Sequence, residues 1–157
     1  MPTLDYTLGG SSSAAAVQWR DIKNTFNVSI RFNVADIIAA DATMTANSYI
    51  AANDVIQVMH WPARHVPTMS FWETITAGTA TSTVDIGLAG GQELDAGVAL
   101  DAAAGTLVVG SVADGSIDDF FAGADTLDCE VLLANLLIGD YRLHVQGSRL
   151  EAVGRNG

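Results

Sequence analysis

Phe26-Asn27-Val28-Ser29-Ile30-Arg31-Phe32-Asn33-Val34 decides the fold class. Apolar side chains recur at every second position with polar ones between them, the spacing of an extended chain with one buried and one wetted face. The same period returns at Ala80, Ser82, Val84, Ile86 and Leu88, and again at Tyr141, Leu143 and Val145. Four further runs, 55–61, 69–75, 105–112 and 130–138, are β-branched, aromatic or continuously apolar and are bounded by turn residues. About seven strands are therefore expected.

The connections point the same way. Trp61-Pro62-Ala63-Arg64 breaks two apolar runs, and a proline without an N–H belongs at a turn or strand edge. Thr76-Ala77-Gly78-Thr79 reads as the loop of a β-hairpin, and Gly139-Asp140 plays the same part before the Tyr141 strand. Helix is scarce: 36–42 and 92–104 each predict a turn or two. With 157 residues and 16.4 kDa, the chain has the size of one compact domain. The expected fold is all-β, an antiparallel, jelly-roll-like β-sandwich over residues 21–157, preceded by a flexible N-terminal arm over residues 1–20. The arm is assigned on its Gly-Gly-Ser-Ser-Ser-Ala-Ala-Ala composition at 9–16. It is either a frayed terminus or a segment that orders on a neighbour through Trp19 and Arg20, residue types rich in interface energy.

Hydrophobic residues make up 49% of the chain and charged ones 16%, which excludes a disordered chain, a collagen or a coiled coil. The formal charge of −11 is uneven: net −1 over residues 1–70, −12 over 71–140, where no Lys or Arg occurs, and +2 over 141–157. Such a surface repels phosphate, so no direct nucleic-acid partner is expected. The excess acid either keeps the chain soluble or docks on a basic partner. The longest apolar runs are shorter than the ~18 residues of a membrane span. The N-terminus has neither a basic start nor a continuous apolar stretch, so neither a signal peptide nor a membrane partner is expected. The single cysteine, Cys129, lies in an apolar run between Asp128 and Glu130, which suits a buried hydrophobe rather than a nucleophile.

Catalytic and ligand-binding patterns are weak. The three histidines lie in no nucleophile elbow, and His60 and His65 lack the further ligands that a metal site needs. Gly87-Leu88-Ala89-Gly90-Gly91 is followed by acid instead of lysine, so it reads as a turn and not a phosphate loop. Asp114, Asp118, Asp119, Asp125 and Asp128 do not match the spacing of a calcium loop. As a glycosidase pair they have only Phe120 and Phe121 nearby to line a groove, and these two suit a core. No catalytic residue, cofactor or metal is assigned. Trp61, Phe71 and Trp72 form the densest aromatic group; core placement is the default, and adjacency puts Phe71 and Trp72 on opposite faces. An exposed Trp72 would suit a protein interface or sugar stacking.

The segments Val55-Ile56-Gln57-Val58-Met59-His60-Trp61-Pro62-Ala63, Met69-Ser70-Phe71-Trp72-Glu73-Thr74-Ile75 and 78–91, with its Thr-x-x-Val-Asp-x-Gly strand, resemble small virion structural proteins of tailed bacteriophages. The stretch 98–106 is similar to the next segment of chain in that group, so the likeness spans about residues 50–112. It implies a β-sandwich or jelly-roll subunit on the capsid exterior, a cement or decoration protein bound to the major capsid protein and commonly trimeric. The virion is then its location, and no enzymatic activity is implied. Trp19, Arg20, Trp61, Arg64 and Trp72 are the candidate contact residues. Alternatives of another class are a carbohydrate- or receptor-binding fibre or tip module, a head-to-tail joining protein, and a glycosidase.

Overall fold

A computed structural model describes residues 3–5, 25–88, 94–110 and 123–149 of the chain. Strand β2 (Thr25–Asn33) realises the alternation: Phe26, Val28, Ile30 and Phe32 are buried, while Thr25, Asn27, Ser29 and Arg31 are exposed. It stops one residue short of the apolar pattern. The Asn33 side chain accepts a hydrogen bond from the Asp36 N–H at 3.2 Å and caps helix α1 (Val34–Ala40), so Val34 stays buried as a helical residue. Asp41 breaks the helix and starts the next, α2 (Ala42–Asn47), by accepting from the Thr43 and Met44 N–H groups at 2.8 and 2.9 Å.

The remaining strands are β1 (Thr3–Asp5), β3 (Val55–Trp61), β4 (His65–Thr76), β5 (Thr83–Leu88), β6 (Asp95–Ala99), β7 (Leu107–Gly110), β8 (Asp125–Leu132) and β9 (Asp140–Arg149). Two sheets form, in the orders β1-β3-β8-β5-β6 and β2-β9-β4-β7, antiparallel throughout except for the parallel pair β1 and β3. The fold is the expected all-β sandwich. Within the segment assigned to the arm, Thr3–Asp5 is laid along β3, and the remaining residues of 1–20 lie outside those described.

Both expected hairpins are corrected. β4 and β5 belong to different sheets, and so do β8 and β9, so the loops at 77–82 and 133–139 carry the chain across the sandwich. Among the described strands, only β5 and β6 are sequence neighbours paired with one another. A period of two records that one face is buried and holds no information on which sheet receives the strand. The helical turns expected within 92–104 are also corrected: Asp95–Ala99 is a strand, with Val98 opposite Val84 and buried in the core. Core packing there overrides the Ala and Leu content. The apolar run 130–138 leaves the sheet at Leu132, and Leu133 turns the chain with a φ of 67°. Pro67 is tolerated inside β4 because β7 reaches only Ser70–Glu73, and the β9 register slips between Pro67 and Met69.

The core is filled from both sheets. Phe32, Trp72 and Tyr141 pack together, with Trp72 stacked on Tyr141 at 5.1 Å between ring centroids. Tyr141 donates its hydroxyl to the Leu100 carbonyl at 2.9 Å. Cys129 is fully buried between the sheets, and burial pushes its thiol pKa far up, as suits an inert core residue. No helix among the described residues is long and apolar enough to cross a membrane.

Candidate functional site

The four-stranded sheet turns a continuous face outward, built from side chains that alternate with the core set. Register places them in three rows across β7, β4, β9 and β2: Leu107-Glu73-Arg142-Arg31, Val109-Phe71-His144-Ser29, and then Met69-Gln146-Asn27. The half carried by β7 and β4 is apolar, with Met69, Leu107 and Val109 exposed and Phe71 half-buried. β7 ends the strand order, so its outer edge pairs with no other strand among the described residues. An apolar patch beside a strand edge left unpaired among the described residues is the kind of surface found at protein contacts.

The half carried by β9 and β2 is charged but balanced. Arg142 Nη1 donates to Glu73 Oε2 at 3.1 Å, and His144 Nε2 lies 3.7 Å from the same oxygen. Arg31 grips Asp140 with two donors, Nε to Oδ1 at 2.8 Å and Nη2 to Oδ2. That hydrogen bond holds the Asp140 carboxyl below its usual range, burial opposing it. Arg31 and Arg142 stand directly opposite on paired strands, and each is neutralised by its own carboxylate.

On the five-stranded sheet, the side chains that alternate with the core set include three acids, two of them buried. Asp85 lies opposite Glu130, and Asp128 lies opposite both Gln57 and Gly87. Asp85 and Asp128 are buried, and Asp85 Oδ1 accepts from the Gly97 N–H at 2.6 Å. Burial first, and then the Asp85 charge, raise the pKa of Asp95 nearby. No three His, Cys, Asp or Glu side chains converge as metal ligands among the described residues. The acidic segment keeps Asp125, exposed, and Asp128 within β8, whereas Asp114, Asp118, Asp119, Phe120 and Phe121 lie outside the described residues.

Two contact candidates are corrected. Trp61 and Trp72 are fully buried, so neither is available to a partner or a sugar. Trp61 donates its indole N–H to the His65 carbonyl at 2.7 Å and meets the Phe26 ring edge-on. Phe71 and Trp72 do face opposite ways, the half-buried Phe71 outward. Arg64 is exposed in the β3–β4 turn with a φ of 64°. Trp19 and Arg20 lie outside the described residues. His60 is exposed while His65 is buried against Phe26, its pKa lowered by desolvation, so the two imidazoles do not share an environment. Gly87 is a buried strand residue, and Gly90 and Gly91 lie outside the described residues. The sequence reading missed Met69, Leu107 and Val109: Leu107-Val108-Val109 is apolar without a break, so nothing marks which side chain faces out, and Met69 next to Ser70 reads as a core residue.

No protein-family model matches the sequence, and no curated protein does. Among solved structures, a chain of the capsid of Ralstonia phage GP4 is similar over 96% of this chain and 100% of its own, with a TM-score of 0.67 and 15% identity. A chain of the cyanophage Pam1 capsid asymmetric unit is similar over 83% and 86%, with a TM-score of 0.48 and 14% identity. At that identity the likeness to the Ralstonia phage GP4 chain is one of fold.

Proposed function

We propose that the protein is a non-enzymatic virion structural protein, a cement or decoration subunit that binds the exterior of a phage capsid and stabilises the shell. The observation that carries this reading is the fold shared, end to end, with a chain of the Ralstonia phage GP4 capsid. The strand path supports it. Eight of the strands fall into two groups of four, β2-β9-β4-β7 and β3-β8-β5-β6, and the chain changes sheet at each step except β5 to β6. That order agrees with the winding of a jelly roll, an architecture of viral capsid and lectin domains, and so supports the jelly-roll reading. A lectin-type role draws no support from the tryptophans, since Trp61 and Trp72 are inside the core.

The outward sheet face and the open β7 edge give the subunit surface to spend on neighbours, either copies of itself in a homo-oligomer, a trimer by preference, or the major capsid protein. Many weak contacts repeated around a shell add up without any one of them being strong. Particles lacking this chain are expected to rupture at a lower temperature than complete ones, and adding back the purified protein restores the difference. Dye accessibility of the packaged DNA during a thermal ramp reads the effect. Identical rupture temperatures with and without bound protein would remove the stabilising role.

A further inference from the structure

Three large apolar side chains are exposed on the 133–138 loop at the end of the sandwich that carries the helices: Leu133 is 78% exposed, Leu137 50% and Ile138 61%. The loop is held rigidly. Leu136 is buried between them and trades backbone hydrogen bonds with Ile50, at 2.9 and 2.8 Å. The Leu137 N–H donates to Thr79 Oγ1 at 2.9 Å, and Asn135 Oδ1 accepts from the Ala52 N–H at 3.0 Å. Leu133 has a φ of 67°, a backbone region that costs a leucine about 1–2 kcal/mol. The fold thus keeps three apolar groups in water on a fixed scaffold, one of them on a strained residue.

The unpaired charges around this loop are acidic: Arg31, which stands near Asp36, is taken up by the Asp140 carboxylate beside the loop. Residues 34–54, 77–83, 99–106 and 133–139, which build this end, present Asp36, Asp41 and Asp101, keep Asp54 buried, and contain no Lys, Arg or His. The Val34 N–H bonds to the Gly139 carbonyl at 3.0 Å, which sets α1 and Asp36 beside Ile138. Asp101 Oδ2 accepts from the Thr81 N–H at 3.3 Å, next to Ser82, whose hydroxyl reaches the Ala134 carbonyl. Apolar centre and acidic rim together complement an apolar recess rimmed by basic side chains.

We propose that Leu133, Leu137 and Ile138 form a preformed apolar plug that seats in such a recess on a shell protein, with Asp36 and Asp101 facing Lys or Arg at its rim. This rests on the virion reading above, and it names the surface that makes the attachment and the chemistry of the partner. A loop already fixed in its bound shape loses little freedom on docking, which is how a small plug contributes strongly to affinity.

The test titrates the full chain, fluorescently labelled, onto particles that lack it. Leu133→Asn is the first variant, because asparagine accepts the left-handed backbone and the fold is kept or strengthened. The second pairs Leu137→Ser with Ile138→Ser, and the third pairs Asp36→Asn with Asp101→Asn. The first two are expected to weaken binding at least tenfold without lowering the melting temperature. The third is expected to flatten the loss of affinity as salt is raised. If wild-type protein binds and all three variants bind equally well, the plug is wrong and the virion reading stands. Were wild-type protein itself not to bind, that reading would fail and the plug with it. A change of oligomeric state in the apolar variants, by light scattering without particles, would make the occupant a second copy and overturn the proposal.

Discussion

Replacing Trp61 with alanine is expected to destabilise the protein by about 3–5 kcal/mol, the range for removing a buried large aromatic side chain. Trp61 is fully buried, packs edge-on against Phe26 with ring centroids 5.4 Å apart, and spends its indole N–H on the His65 carbonyl. Trp72→Ala is expected to fall in the same range of about 3–5 kcal/mol, since it empties the stack between Tyr141 and Phe32. The phenylalanine variants separate the two sites. Trp61→Phe leaves a buried carbonyl short of a donor, worth about 1–3 kcal/mol beyond the lost volume. Trp72→Phe removes an indole N–H that has no hydrogen-bond partner among the described residues, so only the volume is lost. Urea denaturation, compared as midpoints at constant slope, reads all four. Equal losses for the two phenylalanine variants would contradict this account of the core.

Gly147→Ala carries the second large effect, and its cause is steric. Gly147 faces inward on β9, between Phe26 on β2 and Pro67 on β4. A Cβ there would press on the carbonyl oxygen of Val66 and on the Phe26 ring. The ring can move, but the carbonyl belongs to the paired strand and cannot swing aside without breaking the ladder. An overpacked site of this kind costs about 1–3 kcal/mol, towards the upper end where backbone must shift. Gly123→Ala is the control: a Cβ there meets nothing within 4 Å, and stability should stay within about 0.5 kcal/mol. Thermal melts of the two variants side by side check the contrast, and an unperturbed Gly147→Ala would mean that β9 does not run between β2 and β4 as described.

The strands themselves were legible because burial on one face leaves a period of two. Phe26 to Phe32, Val84 to Leu88 and Tyr141 to Val145 are inward-facing in the structure as their spacing requires. The sheet to which each strand belongs was not legible. Thr76-Ala77-Gly78-Thr79 has the composition of a hairpin turn, yet the chain crosses the sandwich there, since partner choice is decided by packing at long range. The same limit hid the candidate surface. Leu107 and Val109 on one side of β7, and Leu133, Leu137 and Ile138 in the loop after β8, lie in apolar runs that read as core, and only the tertiary arrangement leaves them outside. Trp61 and Trp72 follow the default reading, core placement, and not the contact reading set beside it. Their residue type is favoured at interfaces, but in a domain of this size the largest side chains fill the space between the sheets.

Quantitative mass spectrometry of purified phage particles tests the proposed function, the central claim, most directly. A subunit that coats the shell through repeated weak contacts should be present in on the order of hundreds of copies per particle, in fixed ratio to the major capsid protein. Absence from washed particles, or only about a dozen copies as a ring at a single vertex would hold, contradicts it.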